Sequence, residues 1–329
     1  MLLWEIDLPL TALTEVYGLE RAARAWRASL RAASGLKALV ASLGIQCELR
    51  DRNSVYLASG ADGKHLLQEH ELRRRVGLPG EYLDRRLLLD NFGFARAAAI
   101  VSPGAADCDP LQLSRGLLHV AAARGARLFD GAAVTFDAAG GSTTTGLENG
   151  REIESRFVVL ATGYVMPDIV RASIHRVSSS WAIATRTQPH AIWNGGALVW
   201  EDAEHYNYAR TTRSGRIIIG GEDSEEVIEP EERDRQIGQK SRLLSEKLYA
   251  LWPVADPASE FRWAGAFDTS RDGLPLIGPV AGAKSVFAAY GYGGNGITFS
   301  FLAAQLLGDV MAGSRSPLLD DFRIEREGP

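Results

Sequence analysis

At 329 residues the chain has room for two domains of ordinary size or one large core. With 46% hydrophobic and 23% charged residues it has the proportions of a soluble globular enzyme, not of a disordered or fibrous chain. A formal net charge of −5 supplies no dense basic surface for phosphate, which argues against a nucleic-acid partner. Arg21, Arg24, Arg27 and Arg31 recur at helical spacing, the pattern of a solvated helix face. Cys47 and Cys108 are the only cysteines and have no CxxC spacing, so free thiols in a reducing compartment are expected. The opening MLLWEIDLPL carries Glu5 and Asp7 and no basic leader. The longest apolar run, Ile297 to Leu307, falls short of the ~20 residues of a spanning helix. A soluble, cytoplasmic protein is the expectation.

In chain order, the apolar positions Leu19, Ala23, Trp26, Leu30, Ala33, Val40 and Leu43 keep a helical period that Gly44 closes. Residues 54–59 read as a strand, and 64–77 as a helix stopped by Gly77 and Pro79. A new unit is marked near Ala99. There Asp109 caps a helix with Pro110 in its first turn, running to Gly125. Strands ARLFDG (126–131), AAVTFD and RFVVLATG (156–163) follow; the last is nearly all apolar and suits a buried α/β sheet. WAIATRT, GALVW, HYNYARTT and GRIIIGG read as successive antiparallel strands, with RSG at 213–215 as a hairpin turn. An amphipathic helix from Glu231 to Pro253, strand FRWAGAF, a turn at SRDGLP, strand SVFAAYG and a helix from Ile297 to Met311 complete the chain. The two patterns alternate, so each domain is expected to be discontinuous in sequence.

The sharpest local signal is YGYGGNGITF. Gly291, Gly293 and Gly296 match G-x-G-x-x-G between a strand and a helix, where glycines admit a ligand to the backbone and the helix end attracts negative charge. Only 33 residues follow Gly296, too few for a second strand ending in an acidic residue, so this is not the NAD fingerprint. A tight strand–helix turn with glycine only for packing stays open as the plainer reading. The chain has no G-x-S-x-G elbow, Walker loop or H-E-x-x-H motif. Its six histidines are scattered, and His205, beside Glu201 and Glu204, reads as a loop or strand-edge residue with a ligand role as the minor alternative; no metal is expected. Trp200, Tyr206, Tyr208, Trp263, Phe267, Tyr290 and Tyr292 make the later strands aromatic, which by itself fits a core as well as a cofactor box.

Three segments together resemble the D-amino-acid-oxidase-type family of FAD-dependent oxidoreductases, which includes glycine, sarcosine and related amine oxidases. They are DPLQLSRGLLHVAAARGARLFDGAAVTF, RFVVLATGY, and WAGAFDTSRDGLPLIGPV followed by YGYGGNGITFS. The resemblance implies an α/β (α+β) fold: an incomplete, Rossmann-like FAD-binding domain over 100–165 and 265–329, and a mixed or antiparallel substrate domain over 1–99 and 166–264. It also implies FAD contacts at Val134, at Ala161, Thr162 and Gly163, and at Gly291, Gly293, Gly294, Asn295, Gly296 and Ile297. The last block would lay its helix end against the flavin pyrimidine, the role the physics of the glycine loop suggests independently.

The family begins with a βαβ unit whose glycine loop grips ADP. LLWEIDLPLTAL resembles family sequence downstream of that unit, so either a misplaced start or a truncated product is expected, with FAD affinity weakened in the latter. Glycine-oxidase-like members carry a carboxylate-binding Arg where this chain has Phe267; either another donor, Arg210 or Tyr208, then takes the carboxylate, with an ordinary exposed strand face as the equal alternative for both, or the substrate lacks that group. Tyr292 completes the candidate substrate contacts. With Gly265 nearest the position of a flavin-attaching Cys, FAD is expected to be non-covalent. The implied reaction is hydride transfer from an amine-bearing carbon to flavin N5, giving an imine that hydrolyses; it needs no dedicated base, and none is assigned. The partner is a small amine or amino acid. A flavin-dependent 2-hydroxyacid dehydrogenase on the same fold and a flavin-free remnant acting as a binding or scaffold protein are the alternatives.

Overall fold

The computed structural model describes residues 1–139, 141–170, 174–203, 206–226, 229–314 and 316–326. His205 and Glu204 lie outside the described residues. The first half holds α1 (Leu10–Tyr17), α2 (Leu19–Ser42), β1 (Arg50–Ala58), α3 (Lys64–Arg75), β2 (Glu81–Asp84), α4 (Arg85–Phe92), β3 (Ala98–Asp107) and α5 (Pro110–Ala123). Short strands β4 (Ala133–Ala139), β5 (Ser142–Leu147), β6 (Glu152–Ser155) and β7 (Val158–Leu160) follow. Then come β8 (His175–Thr185), β9 (Leu198–Asp202), β10 (Asn207–Thr211), β11 (Ile217–Ser224), α6 (Pro230–Arg235) and α7 (Ile237–Leu251). The chain closes with β12 (Ser259–Ser270), β13 (Leu276–Val280), β14 (Ala283–Tyr290), α8 (Gly296–Met311) and α9 (Leu318–Phe322).

Eight strands form one mixed sheet in the order β12-β8-β11-β10-β9-β1-β3-β2, antiparallel except for the parallel β1–β9 pair. Strand β3 straddles residue 100, where the sequence marks a new unit, and runs in this large sheet beside β1. Side chains alternate between the two faces. Trp181, Ile183, Val199, Ala209, Ile217 and Ile219 are buried in one cluster with Leu244, Leu248 and Leu251 of α7. A three-stranded sheet, β13-β14-β7, pairs β7 and β14 in parallel, with Leu160 opposite Ala288. Strands β4, β5 and β6 make a small separate meander.

Small residues let the helices close on this frame. Ala22, Ala23, Ala25, Ala28, Ala32 and Ala33 bury one side of α2, and a Cβ on Gly35 would come within 2.7 Å of the Phe301 ring of α8. Trp4 meets Trp26 edge-on at 6.0 Å. The buried Arg73 lies over Trp26, 4.4 Å from its ring centre, and donates to Glu69 at 2.7 Å. Glu69 in turn accepts from the Leu10 and Thr11 N–H groups, taking up two of the donors that the start of α1 leaves open. Asp109 caps α5 as its sequence predicts, accepting from Leu111 and Gln112 N–H at 2.9 and 3.1 Å.

Two expected strands differ. ARLFDG carries no strand, and its Leu128 and Phe129 are exposed: among the described residues no neighbour offers it a ladder, so apolar alternation alone does not hold it extended. RFVVLATG is reduced to the three residues of β7, because β14 reaches only that far along it. Both cysteines are free and buried. Among the described residues no helix is long and apolar enough to cross a membrane.

Candidate functional site

The face of the large sheet opposite α7 is walled by side chains that sequence alternation places there. On β12, positions 263, 265 and 267 recur on one side; on β8, positions 180 and 182 do the same. Trp200, Tyr206 and Tyr208 come in from β9, β10 and the residue before it. Together they border a cavity of about 320 Å³, within the size range of small-molecule sites. Tyr208 lies flat enough that a Cβ on Gly220 of the adjacent strand would come within 2.4 Å of its hydroxyl, so the glycine there makes room for the ring.

The floor is the turn between β14 and α8. Gly291 and Gly293 have φ of 70° and 57°, the left-handed region that glycine enters without strain. Asp268 of β12, 2% exposed, fixes this turn by accepting from Gly291 N–H at 2.9 Å and Tyr292 N–H at 3.3 Å, and His175 Nε2 reaches the same carboxylate at 3.0 Å. Asn295, buried, donates through Nδ2 to the Leu3 and Glu5 carbonyls, and Thr298 donates to the Leu3 carbonyl at 2.6 Å. These bonds pin residues 3–7 across the start of α8. Asp7 completes the arrangement: its Oδ2 accepts from Gly294 N–H at 2.7 Å. Replacing Asp268 with Ala would strand two backbone donors and a ring nitrogen, and is expected to lower stability by about 2 kcal/mol. The midpoint of urea unfolding checks this; an unchanged midpoint would mean that the turn holds its shape without Asp268.

Asp7 is an exposed residue where it borders the cavity, yet the protein packed around its carboxyl displaces part of the water. The resulting desolvation pushes its carboxyl up to about 6, with the Asp223 carboxylate adding to the shift and the Gly294 N–H opposing it. Asp223 sits behind the wall within hydrogen-bonding reach of Ser180 and Tyr206, and its own carboxyl is raised, chiefly by burial. Burial and then the Asp223 charge push the Tyr208 phenol up to about 12, so it stays a proton donor.

Of the residues singled out from sequence, the structure brings Tyr208, Phe267, Gly293 and Gly294 to this one cavity. Gly291 borders an adjoining space that shares Asp7, Tyr206, Phe267 and Gly293. Asn295 and Ile297 lie behind the turn, one holding Leu3 and Glu5, the other against the core; Gly296 opens α8. Tyr292 turns into the core beside Phe299. Arg210, two residues from Tyr208, borders a different cavity with Arg50, Asp107 and Arg213. Ala161, Thr162 and Gly163 follow β7 in parallel with the end of β14 and are exposed; Val134 is exposed on β4. Asp7 and Asp268 are site residues that sequence reasoning passed over. The signal available was an acid set beside apolar residues, as Asp7 is between Ile6 and Leu8 and Asp268 is after Phe267.

The family model described as FAD dependent oxidoreductase matches residues 10–310. The chain belongs to that family. A glycine oxidase of Pseudomonas aeruginosa is 34% identical over 119 residues, a match that spans 34% of this chain and only 30% of that relative's length. A probable oxidoreductase OrdL of Haemophilus influenzae is 20% identical over 322 residues, covering 93% of this chain and 70% of the relative. Among solved structures, glycine oxidase from Geobacillus kaustophilus superposes with a TM-score of 0.79 at 19% identity, covering 92% of this chain and 84% of that one. L-proline dehydrogenase from P. horikoshii superposes at 0.78 and 17%, covering 92% and 83%. At these identities the structural likeness speaks for the fold.

Proposed function

We propose that the protein oxidises a small amine or amino acid with a non-covalently held FAD. The observation that carries this reading is the glycine turn at the start of α8, held by Asp268 and facing an aromatic cavity. The turn suits the pyrimidine side of a flavin: glycines at 293 and 294 leave little but the Asp7 carboxylate against the backbone, and Gly294 N–H already serves a carboxylate oxygen, so this helix end accepts negative charge. Gly291, Gly293, Gly294, Asn295, Gly296 and Ile297 would hold that end of the cofactor, and Val134 with Ala161, Thr162 and Gly163 the nucleotide end.

FAD supplies the two-electron acceptor when bound. The chain's own part is to bind and orient. Trp200, Tyr208, Trp263 and Phe267 shape an apolar space that limits water around the reacting carbon. Tyr208, kept protonated, offers a hydrogen-bond donor to the substrate.

The test is the visible spectrum of the purified protein before and after adding FAD and removing the excess. The expected result is retained flavin absorption that bleaches anaerobically on adding an amine or amino acid. A protein that remains colourless after FAD treatment would sink the reading.

A further inference from the structure

The cavity is rich in rings and poor in positive charge. Among the described residues that line it, Asp7 is the only charged side chain. Behind the wall stands a second acid, Asp223, whose Oδ1 is buried with no hydrogen-bond partner. Arg210, two residues from Tyr208, borders the neighbouring cavity with Arg213 instead. A carboxylate entering here would meet the Asp7 carboxylate and, among the described lining residues, no cationic side chain.

We propose that this cavity selects a small alkylammonium cation that lacks a carboxylate, holding its charge on Asp7 within an aromatic enclosure of Trp200, Tyr206, Tyr208, Trp263 and Phe267. The proposal rests on reading the cavity as the substrate site, and it narrows the substrate from amines and amino acids in general to cationic amines. Ring faces attract a cation through their negative quadrupole, and they do so most strongly where water is thinned out. Tyr206 and Tyr208 stand 6.5 Å apart and tilted by 38°, which leaves their faces divergent rather than stacked on each other. Trp263 lines the cavity from the edge strand β12, is 42% exposed, and belongs to none of the buried clusters among the described residues. Asp7 keeps one oxygen on Gly294 N–H, which fixes the carboxylate beside the turn.

The test is titration of the purified protein with tetramethylammonium chloride, and separately with sodium acetate, at constant ionic strength, read by tryptophan fluorescence and calorimetry. Saturable binding of tetramethylammonium without binding of acetate is expected. Asp7→Asn, whose amide oxygen can still accept from Gly294 N–H, should weaken the cation by about tenfold, and Trp263→Ala, at an exposed edge position, should weaken it in the same direction. Acetate binding as tightly as tetramethylammonium, or an Asp7→Asn variant that melts like the parent and binds the cation equally well, would overturn the proposal. Flavin absorption is recorded on the same samples. Cation binding in a protein that takes up no FAD would support this inference while sinking the flavin reading; a protein that retains flavin yet ignores the cation would do the reverse.

Discussion

Replacing Asp272 with Ala is expected to lower stability by about 3–5 kcal/mol at pH 7, the cost of removing one partner of a buried ion pair and leaving the other charge uncompensated. Asp272 is fully buried and Arg326 is 5% exposed. The guanidinium meets the carboxylate with two nitrogens, Nε at 2.5 Å and Nη2 at 2.8 Å, and its remaining hydrogens go to the carbonyls of Leu274, Pro275, Phe322 and Arg323. Tyr17, at the end of α1, donates to the same carboxylate. One network therefore ties the first helix, the β12–β13 turn and the C-terminal segment. Burial by itself would raise the Asp272 carboxyl, but the hydrogen bonds and charge of Arg326, with Tyr17 and the Leu274 N–H, hold it below the ordinary carboxylate range. A carboxyl depressed in the folded state contributes stability that is present above its unfolded pKa, near 4, and is lost as pH falls through the lower folded value. The parent should accordingly lose stability below about pH 4, and the Ala variant should lack that part of the acid dependence. Urea unfolding of both proteins at pH 7 and pH 3 checks the magnitude and the sign. A loss of under about 1 kcal/mol at pH 7 would mean that Arg326 finds other compensation. The double variant Asp272→Leu with Arg326→Met, which removes both charges, should lose less than the single one.

Periodicity made the long elements legible. The helix from Leu19, the capped helix after Asp109 and the strands of the large sheet carry their own pattern, since alternation and helical spacing reflect a single buried face. ARLFDG shows the limit: its apolar residues satisfy the rule for a strand, but a ladder needs a partner, and partners are a tertiary fact. The glycine turn was legible for the same reason as the helices, because positive φ and a helix start leave a mark on residue type. The acids of the site were not. Asp7 and Gly294 are 287 residues apart, and Asp268 reaches across 23 residues to Gly291, so no local window joins them. Arg210 illustrates the converse. Sequence spacing puts it on the same face as Tyr208, yet one step of two residues along β10 carries it past the cavity wall to a different opening.

Two glycines of one motif should respond in opposite ways to an added side chain. In Gly293→Val flavin retention is expected to fall by more than tenfold, the counterpart of roughly 1.4 kcal/mol or more. The position has φ 57°, which a β-branched residue adopts at a cost of about 1–2 kcal/mol, and the new Cβ would stand 2.3 Å from Asp7 Oδ2. The carboxylate would have to leave Gly294 N–H, or the turn would have to open; either way the surface presented at the start of α8 changes. Gly296 has φ −49°, already helical, and nothing lies within 4 Å of an added Cβ. Ala there should keep or raise the melting temperature, because alanine favours the helix over glycine by about 1 kcal/mol. Any flavin lost from Gly296→Ala would then report contact with the cofactor itself rather than damage to the fold. The measurement is the flavin-to-protein absorption ratio after loading with FAD and gel filtration, with a thermal melt on each variant. Equal flavin retention in Gly293→Val and the parent would remove the turn from the flavin site and leave its glycines as packing residues; loss confined to Gly293→Val, with its fold intact, would assign the turn a part in holding the cofactor.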